Sequence, residues 1–150
     1  MTTADIEIAV AQYFGAKGMN NRNIIIPNFK GFWNDYEMDM LIVTPARYCY
    51  EVEIKTSIAD LKADFKKRHF HDSDKIKYFY YAVPDEIYYS TYMPGMFENA
   101  GLFSIRNEKA YLMVTPKALN NYKLTDKEYL HLGRILTHRL WKAKEKLCHT

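Results

Sequence analysis

Two carboxylates and a lysine are the side chains in this sequence best placed to do chemistry. Glu53 and Lys55 lie in the stretch Tyr50-Glu51-Val52-Glu53-Ile54-Lys55-Thr56-Ser57, and Asp39 lies upstream. Alternate side chains of a strand share a face, so Glu53 and Lys55 point the same way, roughly 7 Å apart. Asp39 sits in an apolar run, Met38 to Val43, that is expected to pair alongside. A carboxylate pair beside an ammonium suits one task well: holding a hard divalent cation and a water next to a phosphate. The bare pattern is weak, because average composition yields roughly one acidic-x-Lys triplet in a chain of this length. The same residues also fit an ion pair at a strand end, which would contribute little.

The elements around these residues raise the specificity. Ile6, Val10, Tyr13 and Phe14 recur at helical spacing, predicting a helix over 3–17. Ile24-Ile25-Ile26 begins a strand that Pro27 should end or confine to a sheet edge. Residues 36–44 and 48–55 read as two strands of a hairpin joined through Pro45-Ala46-Arg47. In the second of these, Tyr48, Tyr50, Val52 and Ile54 form one face. Cys49, Glu51, Glu53 and Lys55 form the other, which is expected to turn toward a cleft. Glu51, one pleat back from Glu53, is expected in solvent or on a basic partner. Ser57, with Asp60 three residues later, opens a helix whose apolar side is Ile58, Leu61 and Phe65. The nearly unbroken apolar run Ile76 to Val83 predicts a strand covered on both faces. Residues 85–100 look irregular or partly helical. Two short strands, 101–105 and 111–114, and a helix capped by Thr125 and Glu128 complete the chain. That helix is expected to bury Tyr129, Leu132, Leu136, Leu140 and Leu147. The order predicts one α/β domain over 1–150, three-layered around a mixed sheet.

Composition sets the frame. The net charge is +3, but residues 1–54 carry four Lys/Arg against seven Asp/Glu, and residues 55–150 carry seventeen against eleven. Acidic groups gather where a metal would sit and basic groups dominate elsewhere, which suits a polyanion bridged by a cation or simply a solvated surface. The first twenty residues include Asp5, Glu7 and Lys17 and no long apolar run, so neither a signal peptide nor a membrane span is expected. Two cysteines, Cys49 and Cys148, suggest no disulfide framework, and a cytoplasmic setting is expected.

Asp39, Glu53-Ile54-Lys55 and the αβββαβ order together resemble the PD-(D/E)XK nuclease superfamily, the restriction-endonuclease-like fold. A closer resemblance, over about residues 37–115, is to the MmcB-like DNA-repair proteins. It rests on Val52-Glu53-Ile54-Lys55-Thr56-Ser57, Ala59-Asp60-Leu61, Asp64, Lys77-Tyr78-Phe79-Tyr80-Tyr81-Ala82-Val83-Pro84 and Ala100-Gly101-Leu102. Met38 stands where the superfamily name has proline. The resemblance implies that Asp39, Glu53 and the Ile54 carbonyl bind Mg²⁺ or Mn²⁺. It implies that Lys55 orients or helps deprotonate the attacking water and offsets phosphate charge. Glu7 matches an acidic residue that some members place on the first helix, although a first-turn acid favoured by the helix dipole is the plainer account.

Lys62, Lys66, Lys67, Arg68 and His69 follow the site in sequence and are candidates for holding a nucleic-acid backbone, which gives affinity without sequence reading. His69-x-His71 with Asp72 lacks a complete zinc ligand set. Arg134, His138 and Lys142 form a stripe on the last helix that fits nucleic acid or solvent alike. Trp33 is a candidate for stacking on a base. The expectation from sequence is thus a metal-dependent deoxyribonuclease in DNA repair or mobile-element processing. RNA is not excluded as substrate, and a homodimer is compatible. The rival is a nuclease-fold module that binds nucleic acid without cutting it.

Overall fold

A computed structural model describes residues 1–16, 18, 22–31, 37–65, 73–91 and 98–149. Among the described residues, four helices and six strands run in the order α1 (Thr3–Tyr13), β1 (Ile24–Phe29), β2 (Met38–Val43), β3 (Cys49–Ile54), α2 (Ile58–Phe65), β4 (Ile76–Pro84), α3 (Asp85–Thr91), β5 (Gly101–Arg106), β6 (Lys109–Val114) and α4 (Asp126–Cys148). The six strands form one sheet in strict sequence order, β1-β2-β3-β4-β5-β6. β1, β2 and β3 are antiparallel, β3, β4 and β5 are parallel, and β6 returns antiparallel to β5. The helical connections α2 and α3 are what the parallel pairs require, since a tight turn cannot join parallel strands.

Alternation along the strands sorts the core into two faces. Ile6, Ala9 and Val10 of α1 pack on Met40, Ile42, Val52, Ile54, Tyr80, Ala82, Phe103 and Ile105. The opposite face is covered by Leu61 of α2 and Ile87 of α3, over Phe79, Tyr81, Val83 and Leu102, and by Leu132 of α4, over Ile26, Leu41, Val43, Cys49 and Ile76. The result is three layers, helix on sheet on helices, as expected from the element order.

Local chemistry explains the element ends. Thr2 and Asp5 form a capping box on α1, and Thr125 and Glu128 form the expected one on α4. Ser57 Oγ accepts the Asp60 amide at 3.1 Å to open α2. Asn107 and Glu108 both take positive φ, 50° and 61°, which the two-residue β5–β6 turn demands because its twist must match the strands.

Of the two expectations for Pro27, the sheet edge holds: β1 runs through it to Phe29 as an edge strand, where a missing amide is tolerated, and Asn28 takes φ 47°. Other expectations need correction. α1 ends at Tyr13, not at 17. Glu51 is neither solvated nor facing a cleft: it is fully buried between its register partners Leu41 and Phe79, because helices cover this face. In α4, Leu132 is buried and Tyr129 and Leu136 are half-buried, but Leu140 and Leu147 are 66% and 78% exposed. The helix outruns the sheet it packs on.

Candidate active site

The β2–β3 pairing brings Met40 opposite Val52 and Leu41 opposite Glu51. Asp39 precedes Met40 near the start of β2 and Glu53 follows Val52 near the end of β3, so both stand at the same end of this pair. The Asp39 carboxylate leans onto the neighbouring strand and accepts the Ile54 amide at 2.7 Å. This bond holds the carboxylate beside the Ile54 peptide.

Glu53 and Lys55 share a face, as expected, and are joined directly: Lys55 Nζ lies 2.9 Å from Glu53 Oε1. The same ammonium lies 3.2 Å from Asp64 Oδ1 on α2. The other Asp64 oxygen accepts the Tyr81 hydroxyl at 2.5 Å. Tyr81 is in turn the β4 register partner of Glu53. Glu53, Lys55, Asp64 and Tyr81 therefore close a ring over the ends of β3 and β4. The three charged members are 10–14% exposed, so the ring is largely sheltered from water.

Electrostatics follow from this crowding. Burial pushes the Asp39 carboxyl above its ordinary value, and the charges of Glu37 and Asp64 add to the effect, against the opposing pull of the Ile54 amide and Lys55. Burial also raises Glu7, and the Asp39 charge adds to it, so Glu7 on α1 lies within electrostatic reach of the site. Burial works against the Lys55 ammonium, but the bonds and charges of Glu53 and Asp64 outweigh it and hold Lys55 above the ordinary lysine value. Lys55 is thus placed as a charged donor shared between Glu53 and Asp64.

The donor set fits a hard divalent cation. Asp39, Glu53 and the Ile54 carbonyl offer only oxygen, and Mg²⁺ asks for few protein ligands beside water and phosphate oxygens. Crowded carboxylates with raised pKa values are also what a bound cation would relieve. Among the described residues, no three His, Cys, Asp or Glu side chains gather into a ready-made cage.

Of the proposed backbone-binding residues, Lys62 is exposed on α2, while Lys66, Lys67, Arg68 and His69 lie outside the described residues, as do His71, Asp72 and Trp33. Asp64 and Tyr81 were not expected at the site. A signal for Asp64 was present: it falls three residues after Leu61, on the helical stripe that must face the sheet, where a carboxylate needs a partner. Tyr81 lies in a strand that is apolar on both faces, a pattern that predicts core and not a site.

No family model matches the chain, and no curated protein matches it. A solved structure of a protein of unknown function from Silicibacter pomeroyi does, with a TM-score of 0.66 and 16% identity over 96% of this chain and 90% of that one. The chain shares that protein's fold. No described helix is long and apolar enough to cross a membrane.

Proposed function

We propose that this protein is a metal-dependent nuclease that hydrolyses DNA phosphodiester bonds. One observation supports the reading: Asp39, Glu53 and Lys55 stand at one end of the β2–β3 pair, with Asp39 bonded to the Ile54 amide and Lys55 bonded to Glu53. Asp39, Glu53 and the Ile54 carbonyl would hold Mg²⁺ or Mn²⁺, which when bound acidifies a water and neutralises charge on the phosphate. Asp39 is held ready by the Ile54 amide. Lys55 donates to the phosphate oxygen or to the attacking water, offsetting the charge that grows there. Asp64 and Tyr81 keep the ammonium aimed at this space. Glu7 is a further acid at the rim. DNA rather than RNA follows from the resemblance to the PD-(D/E)XK and MmcB-like proteins, as do the roles in DNA repair or mobile-element processing.

The test is cleavage of labelled supercoiled, linear and single-stranded DNA in Mn²⁺, Mg²⁺ or EDTA, beside Glu53→Ala. Metal-dependent cleavage that vanishes in a folded Glu53→Ala protein is the expected result. Equal cleavage by the two proteins would remove Glu53 from the chemistry.

A second reading is favoured by the ring itself. Lys55 is already satisfied by Glu53 and Asp64, as it would be in an ion cluster kept for stability. On that reading the fold binds nucleic acid without cutting it, and duplex binding without cleavage in either metal would support it.

A further inference from the structure

The position of α4 against the sheet suggests a use for its unpacked half. The helix begins at the β2–β3 turn, where Arg47 pairs with Asp126 and the Arg47 carbonyl accepts the Leu124 amide at 3.0 Å. Leu132 then packs over the middle of β1 and β2. By Arg139 the helix has reached the far end of β1: the guanidinium donates to the Pro27 carbonyl at 2.6 Å and to the Asn28 carbonyl. The next residue, Phe29, pairs with Met38, which precedes Asp39. This is the same end of the sheet as Asp39, Glu53 and Lys55. Nine more helical residues follow, about 13 Å at 1.5 Å each, and every residue from Leu140 to His149 is exposed.

The side of α4 that faces the sheet changes character where the sheet stops. Leu132, Ile135, Arg139, Lys142 and Lys146 recur at alternating spacings of three and four, so they share one stripe. The stripe is apolar where strands lie beneath it, hydrogen-bonds the last carbonyls of β1 through Arg139, and is basic where it overhangs. Apolar residues would have extended a packing surface, whereas lysines at Lys142 and Lys146 present charge to whatever occupies the space beyond the site. From Leu140 to His149 there are three lysines against one glutamate.

We infer that the overhanging half of α4 is a phosphate-backbone arm: Lys142 and Lys146, continuing from Arg139, hold the duplex flanking the Asp39–Glu53–Lys55 site. The assignment rests on the nuclease reading for its substrate, but its contacts are separable from catalysis. Charge on this stripe gives affinity without sequence preference. Lys144 lies on a different side of the helix, over the Trp141 ring at 5.3 Å, and serves as an internal control.

The test is fluorescence anisotropy of a labelled DNA duplex in EDTA, as a function of salt, for the wild type, Lys142→Gln/Lys146→Gln and Lys144→Gln. The double variant should bind roughly tenfold more weakly, and its slope of log affinity against log salt should fall by about two. Lys144→Gln should match the wild type. Equal binding by all three proteins, or an equal loss in both variants, would overturn the arm, as would a wild type that binds no duplex. A double variant that differs from wild type only in self-association, by sedimentation, would overturn it in favour of a second copy on this face. If the binding pattern holds but no metal supports cleavage, the arm stands and the nuclease reading fails. If cleavage occurs with binding indifferent to Lys142 and Lys146, the reverse is true.

Discussion

Asp64→Ala is the most informative single perturbation, because it removes the only α2 carboxylate in the ring over β3 and β4. Two losses contribute. The Tyr81 hydroxyl forfeits a hydrogen bond to a charged acceptor, which contributes about 1.5–3 kcal/mol. Lys55 forfeits one of its two carboxylate partners; stripping a sheltered charge of its partner costs about 3–5 kcal/mol. That figure is reduced here because Glu53 stays at 2.9 Å and the ammonium side chain keeps 13% of its surface in water. The sum expected is about 2–4 kcal/mol, a fall in melting temperature of about 5–15 °C for a chain of this size. Asp64→Asn, which can still accept from Tyr81, should lose about half as much. Urea unfolding at neutral pH measures both, and a cycle with Tyr81→Phe should show a coupling of about 1–2 kcal/mol. The pH dependence has a definite sign. Because Lys55 is held above its ordinary value, its contribution is complete below that value and is lost as pH rises through the folded one. Asp64→Ala should therefore flatten the alkaline fall in stability. A folded Asp64→Ala protein within about 0.5 kcal/mol of wild type, with no coupling to Tyr81, would show that the ring does not hold α2 to the sheet.

Other outcomes follow from particular contacts. A Cβ at Gly101 would lie 2.5 Å from Tyr80 Cδ1 and 3.0 Å from Pro116 Cδ, with Tyr80 only 7% exposed, so Gly101→Ala should cost about 1–3 kcal/mol in denaturant unfolding. Gly133 has open space around it on an exposed helical turn, and Gly133→Ala should instead stabilise by up to about 1 kcal/mol. Burial opposes ionisation of Glu128, but bonds from Tyr122, Lys75 and Thr125 outweigh it and hold the carboxyl below 4.5, so its contribution is present above that value and lost as pH falls through the folded one. Acid unfolding of Glu128→Gln should show a shallower loss over that range. Cys49 is buried with its thiol pushed up to about 12, whereas Cys148 is exposed; alkylation read by mass spectrometry should mark Cys148 and leave Cys49 intact in the folded protein.

The sequence was most legible where a residue's role is set by its neighbours in the chain. The Thr125–Glu128 capping box, the parity of Tyr50, Val52 and Ile54, and the hairpin around Pro45 all depend on short-range geometry, and all are found. Asp39, Glu53 and Lys55 could be placed together because a hairpin register links two nearby strands. Asp64 could not be joined to Tyr81 in advance, since their meeting depends on how α2 settles across β4. Glu51 misled for a related reason: alternation shows that it shares the face of Glu53, but not where the helices covering that face begin and end. Leu140 and Leu147 continue an apolar period that looks buried until the length of the sheet is known.

The strict sequence order of the strands has a consequence for how the site comes into being. Each new strand docks on the one made just before it, so β1, β2 and β3 can pair as soon as residue 54 is available, bringing Asp39 and Glu53 together early. α1 is the exception. Its Ile6 and Val10 rest in a cluster with Phe103 and Ile105, nearly a hundred residues later. Its seat on Met40, Ile42, Val52 and Ile54 is available once β3 has formed, but the part made by Phe103 and Ile105 closes only over a long, entropically costly loop. Glu7 arrives with α1. A chain interrupted before β5 would hold Asp39 and Glu53 at one end of a formed β2–β3 pair with α1 only partly seated, so the final placement of Glu7 is tied to completion of the domain.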